Sequence, residues 1–499
     1  MIGRHLFSFG LILNYNLHFF LFYLNSGEFF MKGHIVCLLA VMLWGCSHQG
    51  EAPKSTSVRP SPSLQNGYEL PKLTVFKKIL KNGLVVIVHE NHLLPIMSYY
   101  TFYDVGGRYE SRSESTTGAT HFLEHMMFKG AKKYGPGLFD SQLEALGGST
   151  NAYTTFDDTV YHQELPSSGL ELIMDMEADR MANLLLEEEA FEKERAVIFE
   201  ERKMRYENSP HGKLLLTMMQ EVFKGTPYGG SVIGDEIDLK NLTRSQLQDF
   251  FKKYYAPNNA IIVIVGDVDH EKVFALAEQK FGVLQANSEL AALKKSKDGA
   301  ASYLWDDKIF GRSIRSKGTN PTPLFYFAYK GEPLGTRRAF VMDILAAMLG
   351  TGSSSYFNQK YVKGQKPTLN SISVGNYNLK YSGVFYIGGE LLQKQYLKRF
   401  EKEFQADLKQ LCPKAITERA LQKAKNQFMV SYFNELSGND DLASFLGVRE
   451  SAFGDYNYYV KELETYHAIT RDEVLNVCSD IMENSKYLYL SMVDGDATN

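Results

Sequence analysis

The chain is poor in cysteine, with four in 499 residues, and none of the four stands at metal-finger spacing. A metal scaffold built on thiolates is therefore excluded. Cys412 and Cys478 lie far apart near the end and read as two buried thiols, the alternative being a disulfide in an oxidising compartment. Long blocks of one charge sign are also missing, and the formal net charge is only −4. The short basic run Lys294-Lys295-Ser296-Lys297 falls in a linker and reads as solvated, so there is no nucleic-acid footprint. There is no low-complexity core, and the length suffices for two or three domains with full interiors.

What is present is concentrated in Thr116 to Gly130, TTGATHFLEHMMFKG. His121, Glu124 and His125 form an H-x-x-E-H signature. Thr116, Thr117 and Thr120 offer capping hydroxyls, an apolar run follows, and Gly130 stands where a helix would end. On that helix His121 and His125 are one turn apart and share a face, so both can reach one metal ion. Glu124 projects about 60° from His121 and about 100° from His125 at 3.6 residues per turn, beside any water held there.

A catalytic zinc takes three protein ligands and keeps a position open. The third ligand is expected on a second helix, Glu187 to Asn208. There Ala190, Val197 and Met204 form an apolar stack at spacing seven, with Phe191 and Ile198 beside it. Glu194 and Glu201 fall between these rows and point to the core, while Lys193, Glu200 and Glu207 make a solvated stripe. Two buried carboxylates need partners. Zinc would serve Glu201, and Glu194 would orient a ligand from behind. Pairing of both with Arg195 or Arg202 is the competing arrangement.

HFLEHMMFKG, with Glu201 following His125 by 76 positions and Glu194 seven earlier, resembles the pitrilysin, insulysin and mitochondrial processing peptidase family. The likeness continues through Gly147-Gly148-Ser149-Thr150-Asn151-Ala152-Tyr153-Thr154, and through Tyr255-Ala256-Pro257-Asn258-Asn259 into Val265-Gly266-Asp267. It covers the chain from about Leu73 onward, more strongly in the first half. The resemblance implies one zinc ion per chain held by His121, His125 and Glu201, with Glu124 as catalytic base and Glu194 assisting. It implies that Asn151, Ala152, Tyr153 and Thr154 form an edge strand where an extended peptide adds. It also implies a zinc endopeptidase of short or unfolded peptides, built as an α+β fold of two homologous domains that form half of a clamshell chamber. A non-catalytic assembly subunit and a zinc hydrolase of a non-peptide substrate remain the rival functions.

Residues 31–46 have the parts of a secretory signal: Lys32, the apolar run Ile35 to Leu43, then Gly45-Cys46. Leu43-Trp44-Gly45-Cys46 resembles a bacterial lipoprotein signal, in which Cys46 would be lipidated. On this reading Met31 is the start, residues 1–30 are an upstream extension, and the protein is lipid-anchored on the periplasmic side of a bacterial outer membrane. The rival is a membrane span at 6–24. Residues 47–71 are a polar linker with a reach of roughly 25–30 Å. The catalytic domain is expected over 72–285, a linker over 286–302, and a second homologous domain over 303–499.

The duplication shows in the sequence. Leu242-Thr243-Arg244 through Gly266-Asp267 aligns without gaps on Ile469-Thr470-Arg471 through Val493-Asp494, an offset of 227 (469 minus 242). Setting Gly350 opposite Gly130 places Val341 to Leu345 against His121 to His125, so no ligand survives in the second copy, and Asp343 reads as a solvated helix residue. In the related family the second domain commonly supplies an Arg and a Tyr that grip the substrate. The comparable segment, Tyr356 to Leu369, has no Arg, and lysine does not replace a planar guanidinium. The expected assembly is a heterodimer with a homologous chain that supplies this pair, the alternative being a homodimer.

Overall fold

The computed structural model describes residues 73–297, 303, 305–320 and 322–495; the leader with Cys46 and the linker 47–71 lie outside the described residues. Strands β1 (Val75–Ile79) and β2 (Val85–Glu90) form a hairpin around Lys81-Asn82-Gly83. β3 (Ile96–Tyr103) leads to helices α1 (Ala119–Met126) and α2 (Leu138–Ala145). The hairpin of β4 (Ser149–Thr154) and β5 (Thr159–Pro166) is followed by α3 (Leu170–Asn183), α4 (Glu188–Arg202) and α5 (Pro210–Val222). Then come α6 (Glu236–Asn241), α7 (Arg244–Tyr254), β6 (Ala260–Gly266), α8 (His270–Lys280) and α9 (Leu290–Lys297). The second half begins with β7 (Ser313–Gly318), β8 (Leu324–Lys330), α10 (Arg337–Gly350), β9 (Leu369–Asn378) and β10 (Gly383–Leu391). It ends with α11 (Leu397–Leu408), α12 (Cys412–Ala415), α13 (Glu418–Glu435), α14 (Asn439–Phe453), α15 (Tyr458–Ala468), α16 (Arg471–Ser479) and β11 (Leu488–Asp494).

The two sheets share one plan, β1-β2-β6-β3-β5-β4 and β7-β11-β8-β10-β9. In each, the last strand of the half slots in parallel to its first common strand (β6 to β2, β11 to β7) and antiparallel to the next. The aligned residues do the same work in both copies. Thr243 and Thr470 each close a capping box, with Gln246 and Glu473. Leu247, Phe250 and Tyr254 are buried, as are Val474, Val477 and Ile481. The fold is α+β and duplicated.

Each half lends a helix to the other. Ser209 caps α5 by accepting from Gly212 N, and Pro210 opens it. Leu214, Met218 and Val222, at helical spacing, then bury among Tyr326, Leu488 and Leu490 of the second sheet. From the second half, Leu442, Phe445 and Leu446 of α14 join Tyr100, Phe102, Ile261 and Val263 of the first sheet in one core. At roughly 1.5–3 kcal/mol for each such buried side chain, neither sheet is complete without the other half. Gly447 lets α14 seat, because a Cβ there would stand 2.1 Å from the Phe102 ring.

Three expectations change. Cys412 and Cys478 are not thiols but a fully buried disulfide, since α12 packs on α16 and brings their Cα atoms to 5.8 Å. Asp343 is buried because α10 is enclosed almost all round, and it accepts from Asn376 Nδ2 and Tyr466 OH, both at 2.8 Å. The stretch joining the halves carries α9, with Leu290 in the first core and Lys294 paired with Asp104 rather than solvated. Among the described residues no helix is long and apolar enough to cross a membrane.

Gly447→Ala should destabilise the protein by about 1–3 kcal/mol through overpacking. Urea denaturation checks this; an unchanged midpoint would mean that Phe102 yields freely.

Candidate metal centre

α1 starts at Gly118, whose φ of +89° suits glycine and where a Cβ would meet Ile233 O at 2.3 Å. The threonines do not cap it as expected. Instead the buried Glu110 carboxylate accepts from Gly118 N at 2.7 Å and Thr120 N at 2.8 Å, an arrangement the helix dipole favours. The Thr117 hydroxyl is committed to Asp238 Oδ2 at 2.6 Å. α4 packs on α1 through stacked Phe122 and Phe191 rings with centroids 4.7 Å apart. Its buried face is Phe191, Glu194 and Ile198, with Glu201 half-buried. Val197 and Met204, expected in an apolar stack, are 49% and 62% exposed. Spacing seven identifies a stripe but not the direction it faces, and this one faces out. Lys193, Glu200 and Glu207 are exposed, as their polar stripe required.

The crossing brings His121, His125 and Glu201 together, their ligand atoms all within 4.8 Å of one another. Glu201 Oε2 lies 3.5 Å from His121 Nε2 and 3.4 Å from His125 Nε2. Ligands 2.0–2.1 Å from a tetrahedral ion stand about 3.4 Å apart, so the residues present fit zinc. Glu201 Oε1 is turned away and held by Arg205 Nη2 at 2.9 Å. His125 Nδ1 contacts Glu194 Oε2 at 3.1 Å, and Glu194 Oε1 takes Lys129 Nζ at 2.6 Å. The arginines offered as rivals are engaged elsewhere: Arg195 with Glu192, Leu239 O and Leu242 O, and Arg202 with Gly234 O and Glu207. His121 Nδ1 is buried without a hydrogen-bond partner among the described residues, so only one imidazole is braced from behind.

Electrostatics separate these groups. Burial and the neighbouring His125 charge lower His121 to about 3, which keeps it a neutral donor ring. Burial also works against the charged forms of His125 and Glu201, but their mutual hydrogen bond outweighs it. His125, helped by Glu194, rises to about 9, and Glu201, helped by the Arg205 charge, falls to about 2. Glu124 is buried, which raises its carboxyl to about 7 against the pull of His125 and the Thr154 hydroxyl. Thr154 Oγ1 donates to Glu124 Oε2.

Thr154 ends β4, which is the outer strand of its sheet and among the described residues pairs only with β5. Ala152 is buried and its N–H donates to Asn151 Oδ1 at 2.9 Å. Tyr153 points the other way, packing against the core shared with the second half. In the segment Tyr356 to Leu369, Tyr361 OH donates to Asp407 Oδ2 at 2.8 Å and Lys360 pairs with the same carboxylate. Sequence reasoning missed Arg205, Lys129 and Thr154. Arg205 stands four positions after Glu201, a spacing that signals contact, whereas Lys129 meets Glu194 only through the crossing of the two helices. Thr154 was seen only as part of the strand. A second cluster, Glu90, Asp269 and His270, is explained by helix capping: Glu90 Oε1 accepts from His270 N and Nδ1, and Asp269 from Lys272 N.

Residues 86–236 match the model for insulinase (peptidase family M16), and 241–428 match that for the peptidase M16 inactive domain. A zinc protease PqqE of Helicobacter pylori is 31% identical over 382 residues, 76% of this chain and 82% of that protein. A probable mitochondrial-processing peptidase subunit beta of Arabidopsis thaliana is 25% identical over 82% of this chain and 75% of its own length. The crystal structure of a protease from Helicobacter pylori superposes with a TM-score of 0.77 at 25% identity, covering 85% of this chain and all of that one. The stretch that carries both histidines and Glu201 thus lies within the insulinase match, and the chain belongs to peptidase family M16.

Proposed function

We propose that the chain is a zinc-dependent endopeptidase acting on short or unfolded peptides. The observation that carries this is one Glu201 oxygen set 3.4–3.5 Å from two imidazole nitrogens, with the buried Glu124 carboxyl on the same helix. His121 and His125 through Nε2, and Glu201 through Oε2, would hold the ion. When bound, zinc supplies Lewis-acid chemistry, polarising a peptide carbonyl and acidifying water towards a pKa of about 7. Glu124, oriented by Thr154, takes the proton of the attacking water and delivers it to the leaving amine nitrogen. Glu194 steadies His125. The peptide adds to the free edge of β4, where Asn151 gives up the Ala152 N–H to it. An extended chain can do this and a folded one cannot. A non-catalytic subunit would not need His121, Glu124, His125 and Glu201 together.

The purified chain should hold one zinc ion. His121→Ala, His125→Ala and Glu201→Ala should each lose it in metal analysis, with Glu200→Ala unaffected. Glu124→Gln should keep the metal and lose about 10²–10⁴ in kcat. Loss of zinc in Glu200→Ala but not in Glu201→Ala would refute the assignment. Glu194→Ala should weaken zinc binding by about 10–100-fold in chelator competition, since it removes the brace on His125 but no ligand.

We further propose that the active form is a heterodimer on the periplasmic face of a bacterial outer membrane, anchored through lipidated Cys46. Support comes from the relative named as a subunit, and from Lys360 and Tyr361, which are committed to Asp407 and leave the segment no substrate grip. The buried disulfide fits an oxidising compartment. Fractionated cells should hold the chain with the membranes, Cys46→Ser should release it, and affinity capture from the membranes should bring a homologous chain that raises peptidase activity. Full activity of the isolated chain would overturn the heterodimer, and an unmodified Cys46 the anchor.

A further inference from the structure

The loop between β2 and β3 raises three apolar side chains into solvent within four positions: Leu93 is 86% exposed, Leu94 62% and Ile96 43%. Single exposed apolar residues are ordinary on any surface, but no other stretch of four among the described residues holds more than two such large ones. The loop is tied at its base. Asn91 Oδ1 accepts from Leu93 N at 3.3 Å, and Asn91 Nδ2 donates to Asn439 Oδ1 of α14 at 2.7 Å. His92 Nδ1 donates to Asp267 Oδ1 at 2.8 Å, and Pro95 O accepts from Ser167 N at 3.1 Å. The two leucines are thus presented at the tip of a braced turn.

Two placements point to what covers this tip. The first is the entry of the N-terminal chain. Val75 pairs with His89 across the β1–β2 ladder, and His89 Nδ1 donates to Thr74 O at 2.9 Å. The 72 residues that precede Leu73 therefore join the body one strand away from the loop, at the same end of the sheet. The second is the metal centre. Ile96 and Tyr103 are the two ends of β3, roughly 24 Å apart at about 3.4 Å per residue. Thr154, which donates to Glu124, stands at the Tyr103 end. A surface that meets the tip is thus beside the point where the tether enters and a sheet's length from Glu124. We propose that Leu93 and Leu94 dip into the headgroup layer of the bilayer to which the chain is anchored, seating the body with this loop down; the inference rests on the anchored reading given above. A single lipid attachment holds marginally and a second contact secures it. A tether reaching roughly 25–30 Å keeps the tip close to the surface, so a small apolar contact is enough. The charged neighbours of the tip, Glu90, Asp267 and Asp269, are acidic, so it suits a zwitterionic leaflet and not an anionic one.

The test ties the chain from Ser47 onward, a start upstream of every described residue, to phosphatidylcholine vesicles through an N-terminal His tag and a nickel-chelating lipid. Leu94→Trp emission should be quenched at least about twofold by acyl-brominated phosphatidylcholine, since such contacts reach ~5–10 Å into the headgroup and acyl boundary. Ile237→Trp, at a position 69% exposed on α6, should not be quenched. Without the tag, the double variant Leu93→Ser/Leu94→Ser should partition onto phosphatidylcholine vesicles at least about tenfold more weakly than the parent, because two burying leucines are lost. Phosphatidylglycerol vesicles should bind the parent more weakly than phosphatidylcholine ones. Both leucines are exposed, so the double variant should match the parent in thermal melt and zinc content. Unquenched Leu94→Trp emission, equal quenching of Ile237→Trp, parent-like partitioning of the double variant, or loss of a homologous partner from it would overturn the proposal. Because the tag stands in for Cys46, failure of the lipid anchor in cells and failure of the tip on vesicles are read separately.

Discussion

The structure depends on an exchange of helices between its halves. α5 leaves the first half to cover the second sheet, and α14 returns to cover the first. One face of the first sheet supports the helix with the two histidines; the opposite face is closed by α14. The metal centre is thus braced by a half that contributes none of its ligands. A duplicated copy can lose its chemistry and still be retained, because the buried area it provides does not depend on having kept a histidine.

At the centre each carboxylate divides its two oxygens between different tasks. Glu201 turns one oxygen to both imidazoles and the other to Arg205; Glu194 turns one to His125 and the other to Lys129. A carboxylate fixed at both ends cannot swing, so the separation that suits an ion is set before any ion arrives. Among the described residues Glu124 has one hydrogen-bond tether, Thr154, and that tether comes from the strand proposed to receive the substrate. In the proposed mechanism, substrate binding and proton transfer would be linked through that one hydroxyl.

Local patterns in the sequence brought out the candidate site, because helix period alone places His121 beside His125 and Glu194 beside Glu201. The duplication was legible for the same reason: Thr243 and Thr470 cap equivalent helices by equivalent bonds. What stayed hidden was set by tertiary packing. Spacing seven on α4 could not tell inside from outside, and so Val197 and Met204 were placed on the wrong side. Cys412 and Cys478 are 66 positions apart, and only the packing of α12 on α16 joins them. Asp343 looked like a surface residue because its partners, Asn376 and Tyr466, arrive from distant elements. The exchange of α5 and α14 has no local signature at all.

The free edge of β4 carries a further consequence. A strand edge able to recruit unfolded chains is also a template for self-association, and most proteins protect such edges permanently with charge, proline or a bulge. Permanent protection would destroy a peptide-receiving edge. Here the cover is one side chain, Asn151, folded over the Ala152 N–H of its own strand. Uncovering that N–H would cost one hydrogen bond. For the peptide-receiving role proposed above, this would leave the Ala152 N–H covered whenever no peptide is bound.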